Sequence, residues 1–210
     1  MFIIDFDDTL FNTHAFKQAR LEILKTIGVS EESFWQTYKQ ARNDGEGNFT
    51  YSDRRHAQFL ALEKFDEEQI FGKLSEVSSR LEEFLFPDVV YFLESLKKYN
   101  QSMILLSLGD PDFQEFKLDG TKIRPYFSHV FMVAASKEKI LEKIFNFEKT
   151  DRAWFINDKV TETKILADKF SVIKPVLKVS SSIPKEEYLN SGMPYFDTLN
   201  EIKDYVSRSI

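Results

Sequence analysis

Three carboxylates and a hydroxyl lie together near the start of the chain. Asp5, Asp7, Asp8 and Thr9 directly follow an apolar run at residues 1–4, which has the pattern of a short buried strand. Carboxylates this close repel one another and lose hydration at the edge of a core, so the cluster calls for a cation. Because ligands bind where buried strands of an open α/β sheet end, the cluster predicts a ligand site. An acidic turn after an edge strand is the alternative at this point.

A second polar segment follows a later apolar run, at residues 103–106. This run leads into Ser107, Leu108 and Gly109. A hydroxyl at a strand end, followed by glycine, can present O–H and backbone N–H donors to an anion. The residue types alone fit an ordinary turn, so it is the position after a strand that indicates a binding segment.

A lysine and two further acids follow the next two predicted strands. Lys137 lies at the start of a helix, where the helix dipole disfavours a cation, so a role outside the helix is indicated. A solvated helix face is the other interpretation, and Lys117 and Lys122 are weaker candidates for the same role. Asp158 ends the apolar run at residues 153–157, and Glu162 follows four residues later. These two acids are candidate metal ligands, although Glu162 also fits a first-turn helix acid.

Two different patterns divide the chain. Residues 14–85 have helical periodicity without a strand pattern, whereas strands and helices alternate after residue 87. Alternation predicts a parallel sheet with helices on both faces, and the first strand joins it. We therefore predict an α/β class with a Rossmann-like core at residues 1–13 and 87–210, and an all-helical cap domain at residues 14–86. The hinges are expected near residues 11–14 and 86–88.

Composition excludes several classes of function. The 210 residues are 42% hydrophobic and 30% charged, carry a net charge of −6 and include no cysteine. The negative charge argues against non-specific nucleic-acid binding, and the lack of cysteine excludes disulfides and thiolate catalysis. No apolar run approaches the roughly 18 residues that span a bilayer, and early acids do not fit a signal peptide. We expect a cytoplasmic protein without nucleic-acid or membrane partners, and leave monomer and homodimer open.

The strand-end motifs together resemble those of the haloacid dehalogenase-like hydrolase superfamily. The segment at residues 5–10 resembles its first motif, and Ser107, Lys137 and the pair Asp158 and Glu162 resemble the second, third and fourth, in family order. Asp8 stands where many members have glycine. Glu138 replaces a common proline, and Asn157 replaces a glycine before the first acid of the fourth motif.

The resemblance implies a chemistry for these residues. Asp5 is the nucleophile and Asp7 the general acid and base, with a pKa expected to be raised by the neighbouring acids. Ser107 and Lys137 stabilise the transferring phosphoryl group, and Thr9, Leu108 and Gly109 belong to the substrate-binding set. Mg²⁺ is expected as the cofactor, and the residues expected to hold it are Asp5, Asp7 through its carbonyl, Asp158 and Glu162.

The expected function is magnesium-dependent hydrolysis of a small phosphorylated metabolite through an aspartyl-phosphate. Dehalogenases of the superfamily lack the second Asp of the first motif, so Asp7 favours phosphoryl transfer. A phosphomutase shares the same core residues and is the main alternative; a non-catalytic binding protein on this scaffold is another. Arg55, in a polar segment of the predicted cap, is a candidate for binding a second anionic group of the substrate.

Overall fold

A parallel β-sheet forms the centre of the protein. The structure is a computed structural model that describes residues 1–46, 49–147 and 150–209. Within these residues the sheet has six strands in the order β3-β2-β1-β4-β5-β6, and every neighbouring pair is parallel. The strands are β1 (Phe2–Ile4), β2 (Met103–Leu108), β3 (His129–Val133), β4 (Ala153–Asn157), β5 (Ile173–Lys178) and β6 (Tyr195–Phe196). The predicted α/β class is therefore confirmed.

The register of the central strands brings their carboxyl ends to one edge. Ile4 of β1 is paired with Leu105 of β2 on one side and with Ile156 of β4 on the other. The amide of Asp5 continues this pairing by donating to the carbonyl of Ile156 at 2.9 Å. The residues that follow all three strands consequently face the same space.

Helices cover both faces of the sheet, as predicted. The helices are α1 (Thr13–Lys25), α2 (Glu31–Arg42), α3 (Asp53–Ala61), α4 (Glu67–Ser78), α5 (Val89–Lys97), α6 (Pro111–Thr121), α7 (Glu138–Phe147), α8 (Val160–Lys169), α9 (Lys185–Asn190) and α10 (Leu199–Ser207). Phe2 and Ile4 pack on one face against α5, α6 and α10, whereas Ile3 packs on the other face with α7 and α8, as the two-residue period of a strand requires.

Local capping signals set several helix starts where the sequence places them. Ser30 and Ser52 accept hydrogen bonds from the backbone at the starts of α2 and α3, and Thr198 forms a capping box with Glu201 at α10, as their residue types favour. The short elements α9 and β6 were not predicted. Six and two residues are too few to give a periodic signal.

The first four helices pack around an apolar cluster of their own. Leu21, Phe34, Leu60 and Ile70, one from each helix, are fully buried in it. The two segments that join these helices to the sheet run side by side, because residue 11 forms an antiparallel bridge with residue 85. The predicted hinges lie in these segments. The assignment of α1–α4 to a separate cap domain stays a prediction.

No helix in residues 1–46, 49–147 or 150–209 has the length and apolar character that crossing a bilayer requires.

A chain of buried polar contacts ties the helical layer together. Arg20 lies against the Tyr51 hydroxyl, which is 3.0 Å from Nδ1 of His56. Nε2 of His56 is 3.1 Å from the Thr37 hydroxyl, which itself donates to the carbonyl of Ser33. Thr37 therefore accepts from Nε2, and His56 is held as a neutral ring with its proton on that atom. Burial first, and then the positive charge of Arg20, lower the pKa of His56 to about 3.

This histidine predicts a pH-dependent loss of stability. Between about pH 6.5 and pH 3 the unfolded chain binds a proton at residue 56 and the folded protein does not, so stability falls as the pH falls, by up to about 1.4 kcal/mol per unit. Urea unfolding at several pH values should give a smaller slope for His56→Gln than for the wild type. His129→Gln, which changes an exposed ring, is the control. Equal slopes for wild type and His56→Gln would contradict the assignment.

Candidate active site

A cavity lies where the carboxyl ends of the central strands face α1 and α2. Its volume is about 120 Å³, against the roughly 10–15 Å³ that one ordered water needs, so it suits a small molecule. One wall consists of the residues after β1, β2 and β4, and the other consists of residues from the helical layer. This is the position at which open α/β sheets bind ligands.

Asp5 lies at the end of β1 and is 3% exposed. Its Oδ1 is 2.5 Å from Nζ of Lys137, and the Thr9 hydroxyl donates weakly to its Oδ2 at 3.4 Å. Burial raises the pKa of Asp5, and the charge of Lys137 opposes that shift. The structure thus brings the first and third predicted motifs into direct contact, across 132 residues of sequence.

Lys137 joins two acids. It is 2% exposed, and its Nζ is also 2.9 Å from Oε2 of Glu162. Burial by itself disfavours the ammonium group, but the charges of Asp5 and Glu162 raise the pKa of Lys137. Glu162 accepts a further hydrogen bond from the amide of Asn157 at 2.9 Å. The observed contacts of Glu162 are thus with a cation and an amide, and its role as a metal ligand stays a prediction.

Asp158 carries a buried oxygen that finds no partner in the part of the chain that the structure describes. It is 2% exposed, and its Oδ1 forms no hydrogen bond to those residues. Its backbone is held firmly, because the Tyr188 hydroxyl donates to its carbonyl at 2.9 Å. Burial first, and then the negative charge of Asp5, raise the pKa of Asp158 to about 8. Two buried acids that repel each other, one with an unsatisfied oxygen, fit a site for a cation.

Few protein ligands are available for a cation at this site. The described residues include no group of three or more carboxylate, imidazole or thiolate side chains placed to hold a metal. Mg²⁺ usually keeps several waters and is held by only one or two carboxylates. Asp5 and Asp158, the two buried acids that repel each other, could supply that number, and the carbonyl of Asp7 stays a predicted ligand.

Ser107 is fixed by a glutamine from α6. Nε2 of Gln114 donates to the Ser107 hydroxyl at 2.8 Å and to Oδ2 of Asp7 at 2.7 Å, which leaves the proton of Ser107 for another acceptor. Gly109 permits this approach, because a Cβ there would lie 2.9 Å from Nε2 of Gln114. Leu108 and Gly109 line the cavity, but the N–H of Gly109 donates to the carbonyl of Val133 and not to the cavity.

Asp7 has a low pKa, which corrects the expectation from the sequence. Nζ of Lys117 is 2.5 Å from its Oδ1, and the Thr13 hydroxyl donates to the same oxygen at 2.6 Å. Burial would raise the pKa of Asp7, but Lys117 and these hydrogen bonds hold it far below its usual value. The contact with Lys117 outweighs any repulsion of Asp7 by Asp5 and Asp8. Lys117 is 110 residues away in the sequence, so the residues around Asp7 do not reveal this contact.

Asp8 tolerates the backbone conformation that its position needs. Its φ is +58°, in the left-handed region where many family members have glycine. Asp is among the few other residues that adopt this region, and here Oδ1 of Asp8 accepts a hydrogen bond from the amide of Thr13 at 3.1 Å. The departure from glycine therefore leaves the turn intact.

The helical wall contributes residues that the sequence did not single out. Lys17 and Arg42 line the cavity, and Lys159 lines it from the strand side. Lys17 follows Thr13 by four residues on α1, so the helical period could have placed the two on one face. Arg55 does not line this cavity; its Nε donates to the carbonyl of Ala41 at 3.0 Å. Its predicted role in substrate binding has no geometric support here.

Comparison with protein families agrees with this geometry. The sequence model of the haloacid dehalogenase-like hydrolases matches residues 1–159. The chain belongs to this family. The match includes the segments that contain Asp5, Ser107, Lys137 and Asp158. No curated protein is significantly similar in sequence.

Solved structures share the whole fold at low identity. A haloacid dehalogenase-like hydrolase structure from Burkholderia xenovorans has a TM-score of 0.74 at 15% identity, covering 99% of this chain and 96% of that one. A Thermotoga maritima protein assigned as a beta-phosphoglucomutase has 0.67 at 16%, covering 100% and 99%. The L-2-haloacid dehalogenase of Xanthobacter autotrophicus has 0.61 at 15%, covering 98% and 97%.

One further similar structure contains a metal. The haloacid dehalogenase-like hydrolase YfnB of Bacillus subtilis was solved bound to magnesium, with a TM-score of 0.61 at 14% identity, covering 97% of this chain and 96% of that one. At such identities the similarity shows the fold of this chain. Its substrate and reaction have to be inferred from its own residues.

The pair formed by Lys117 and Asp7 predicts a measurable pKa change. Because the folded pKa of Asp7 is depressed, the pair stabilises the fold above about pH 4, and this contribution fades as the pH falls. Lys117→Met should cost about 1–3 kcal/mol at neutral pH and raise the pKa of Asp7 in a carboxyl NMR titration. Lys122→Met, which breaks an exposed pair with Glu82, should cost less than about 1 kcal/mol. An unchanged Asp7 titration in Lys117→Met would contradict the account.

Proposed function

We propose that the protein is a magnesium-dependent phosphomonoester hydrolase that acts on a small phosphorylated molecule through an aspartyl-phosphate on Asp5. The observation that carries the proposal is the group at the ends of β1, β3 and β4. There a buried carboxylate is paired with Lys137 at 2.5 Å, and Asp158 provides an unpartnered buried oxygen. A nucleophile, a fixed cation and carboxylate oxygens that could hold a metal are what phosphoryl transfer needs.

The first step is attack by a carboxylate oxygen of Asp5 on phosphorus. A bond from that oxygen to phosphorus forms, and the bond from phosphorus to the leaving oxygen breaks. Lys137 and the free proton of Ser107 stabilise the negative charge on the transferring group. Water then attacks the aspartyl-phosphate, which releases phosphate and restores Asp5.

Asp7 provides the proton transfers in both steps. The leaving oxygen needs a proton, and the attacking water must lose one. With Lys117 at 2.5 Å, Asp7 is a carboxylate, which suits the base that accepts the proton of the water. To act as the acid, it must exchange the ion pair with Lys117 for a contact with the leaving oxygen.

Mg²⁺ would be held by Asp5, Asp158 and the carbonyl of Asp7. Bound there, it would supply positive charge that offsets the negative charge of the phosphoryl oxygens. Its charge would also favour the ionised forms of Asp5 and Asp158, whose pKa values are raised first by burial.

Asp7 also favours phosphoryl transfer over dehalogenation. A halide leaves as a stable anion and needs no proton, whereas an alcohol oxygen does. A carboxylate held by Lys117, Thr13 and Gln114 beside the nucleophile therefore has a task in phosphate chemistry that it would lack with a halide. A phosphomutase would use the same residues, and its product, an isomeric phosphomonoester in place of free phosphate, distinguishes it. A non-catalytic binding protein would need neither Asp5 nor Asp7.

The hydrolysis of p-nitrophenyl phosphate tests the proposal. The wild type should turn it over with Mg²⁺ and lose activity with EDTA, and Asp5→Asn should lower kcat by at least about a thousandfold, as expected for the loss of a nucleophile. Asp8→Asn removes a neighbouring carboxylate at a position where Asn also adopts a positive φ, and should keep activity within about tenfold. Equal activity of the wild type and Asp5→Asn would rule out the assigned nucleophile.

A further inference from the structure

Two cations on the helical wall of the cavity form no ion pair within the described residues. Lys17 on α1 and Arg42 at the end of α2 both line the cavity. Among the described residues neither side chain forms an ion pair or donates a hydrogen bond. The acids of the opposite wall, Asp7 and Asp8, act on Lys17 through their charges alone.

Aromatic rings hold these side chains without neutralising them. Nζ of Lys17 is 5.4 Å from the centroid of the Tyr38 ring, and the guanidinium carbon of Arg42 is 4.8 Å from that of Phe49. Lys17 is half-buried and Arg42 is exposed. Burial first, and then the charge of Arg42, lower the pKa of Lys17, and the charges of Asp7 and Asp8 oppose this shift without cancelling it. Such an arrangement becomes favourable when an anion enters between the two cations.

The reacting phosphoryl group does not account for these cations. In the proposed function its charge is met beside Asp5, by Lys137 and by Ser107 near the end of β2, and neither of these residues belongs to the helical wall. The acids on the opposite wall neutralise the two cations only in part: Asp7 is paired with Lys117, and the charges of Asp7 and Asp8 act on Lys17 without an ion pair. Lys17 and Arg42 are therefore surplus to a substrate that carries one phosphate.

We propose that the substrate carries a second anionic group, a carboxylate or a second phosphoryl group, and that Lys17 and Arg42 bind it. The inference rests on the proposed function for the first phosphate and adds the class of molecule. The cavity volume of about 120 Å³ limits that molecule to a compact one, with the two anions at opposite ends.

Three probes separate the possible second groups. Glycerol 3-phosphate has a neutral end, 3-phosphoglycerate replaces it with a carboxylate, and glycerol 1,3-bisphosphate replaces it with a phosphoryl group. Calorimetric titration into Asp5→Asn with Mg²⁺ measures binding without turnover. Either 3-phosphoglycerate or glycerol 1,3-bisphosphate, which carry an anionic group at each end, should bind at least about tenfold more tightly than glycerol 3-phosphate. The tighter of the two identifies the second anionic group.

Variants on the helical wall test the assignment to residues. Lys17→Met and Arg42→Gln, each added to Asp5→Asn, should reduce the preference by about tenfold, and Lys17→Arg should restore most of it. Lys39→Met removes an exposed charge from α2 that does not line the cavity, and should leave the preference unchanged. Equal binding of all three probes, or a preference that survives both Lys17→Met and Arg42→Gln, would overturn the proposal.

Turnover by the wild type distinguishes failure of this inference from failure of the proposed function. Hydrolysis of p-nitrophenyl phosphate without any binding preference would contradict the second anion and leave the phosphatase intact. A clear preference that depends on Lys17 and Arg42, with no hydrolysis of any probe, would retain the anion site and contradict the phosphatase.

Discussion

The buried pair between Lys137 and Asp5 is the interaction on which the site depends. Both side chains are almost fully excluded from water, so neither charge is tolerable without the other, and removing one partner of such a pair costs on the order of 3–5 kcal/mol. The parallel sheet makes the contact by bringing the ends of β1 and β3 to one edge. Lys137 therefore fixes the position of the Asp5 carboxylate, and in the proposed function it also supplies the positive charge that the phosphoryl group meets.

A second constraint is that the neighbouring acids are only partly neutralised. Lys137 forms ion pairs with Asp5 and Glu162, and Lys117 forms one with Asp7. Among the described residues, one buried oxygen of Asp158 has no partner. The backbone of Asp158 is held in place by a hydrogen bond from the Tyr188 hydroxyl to its carbonyl. The imbalance has a chemical use, since a divalent cation and a phosphate together would complete the charge balance.

Much of this arrangement could be predicted from local patterns. Asp5, Ser107, Lys137 and Asp158 each follow a predicted strand. Because the carboxyl ends of parallel strands lie at one edge of a sheet, these four residues could be placed at the same edge. The contacts of Asp7 could not be predicted. The neighbours visible in the sequence are acids, whereas the residue that sets its pKa, Lys117, comes from α6 and approaches only after β2 and α6 have packed.

The residues that the helical layer contributes to the cavity could not be predicted from the sequence either. Arg55 was the candidate for a second anion because it lies in a polar, basic segment, but the backbone of the α2 end takes its hydrogen bonds. Lys17 and Arg42 reach the cavity through the packing of α1 and α2 instead.

The most direct test of the central claim is a crystal structure with Mg²⁺ and beryllium trifluoride, a mimic of an aspartyl-phosphate. The account predicts beryllium bonded to a carboxylate oxygen of Asp5 and within reach of Lys137, with a six-coordinate cation between Asp5 and Asp158. Beryllium on another residue, or a cation that avoids Asp158, would contradict it.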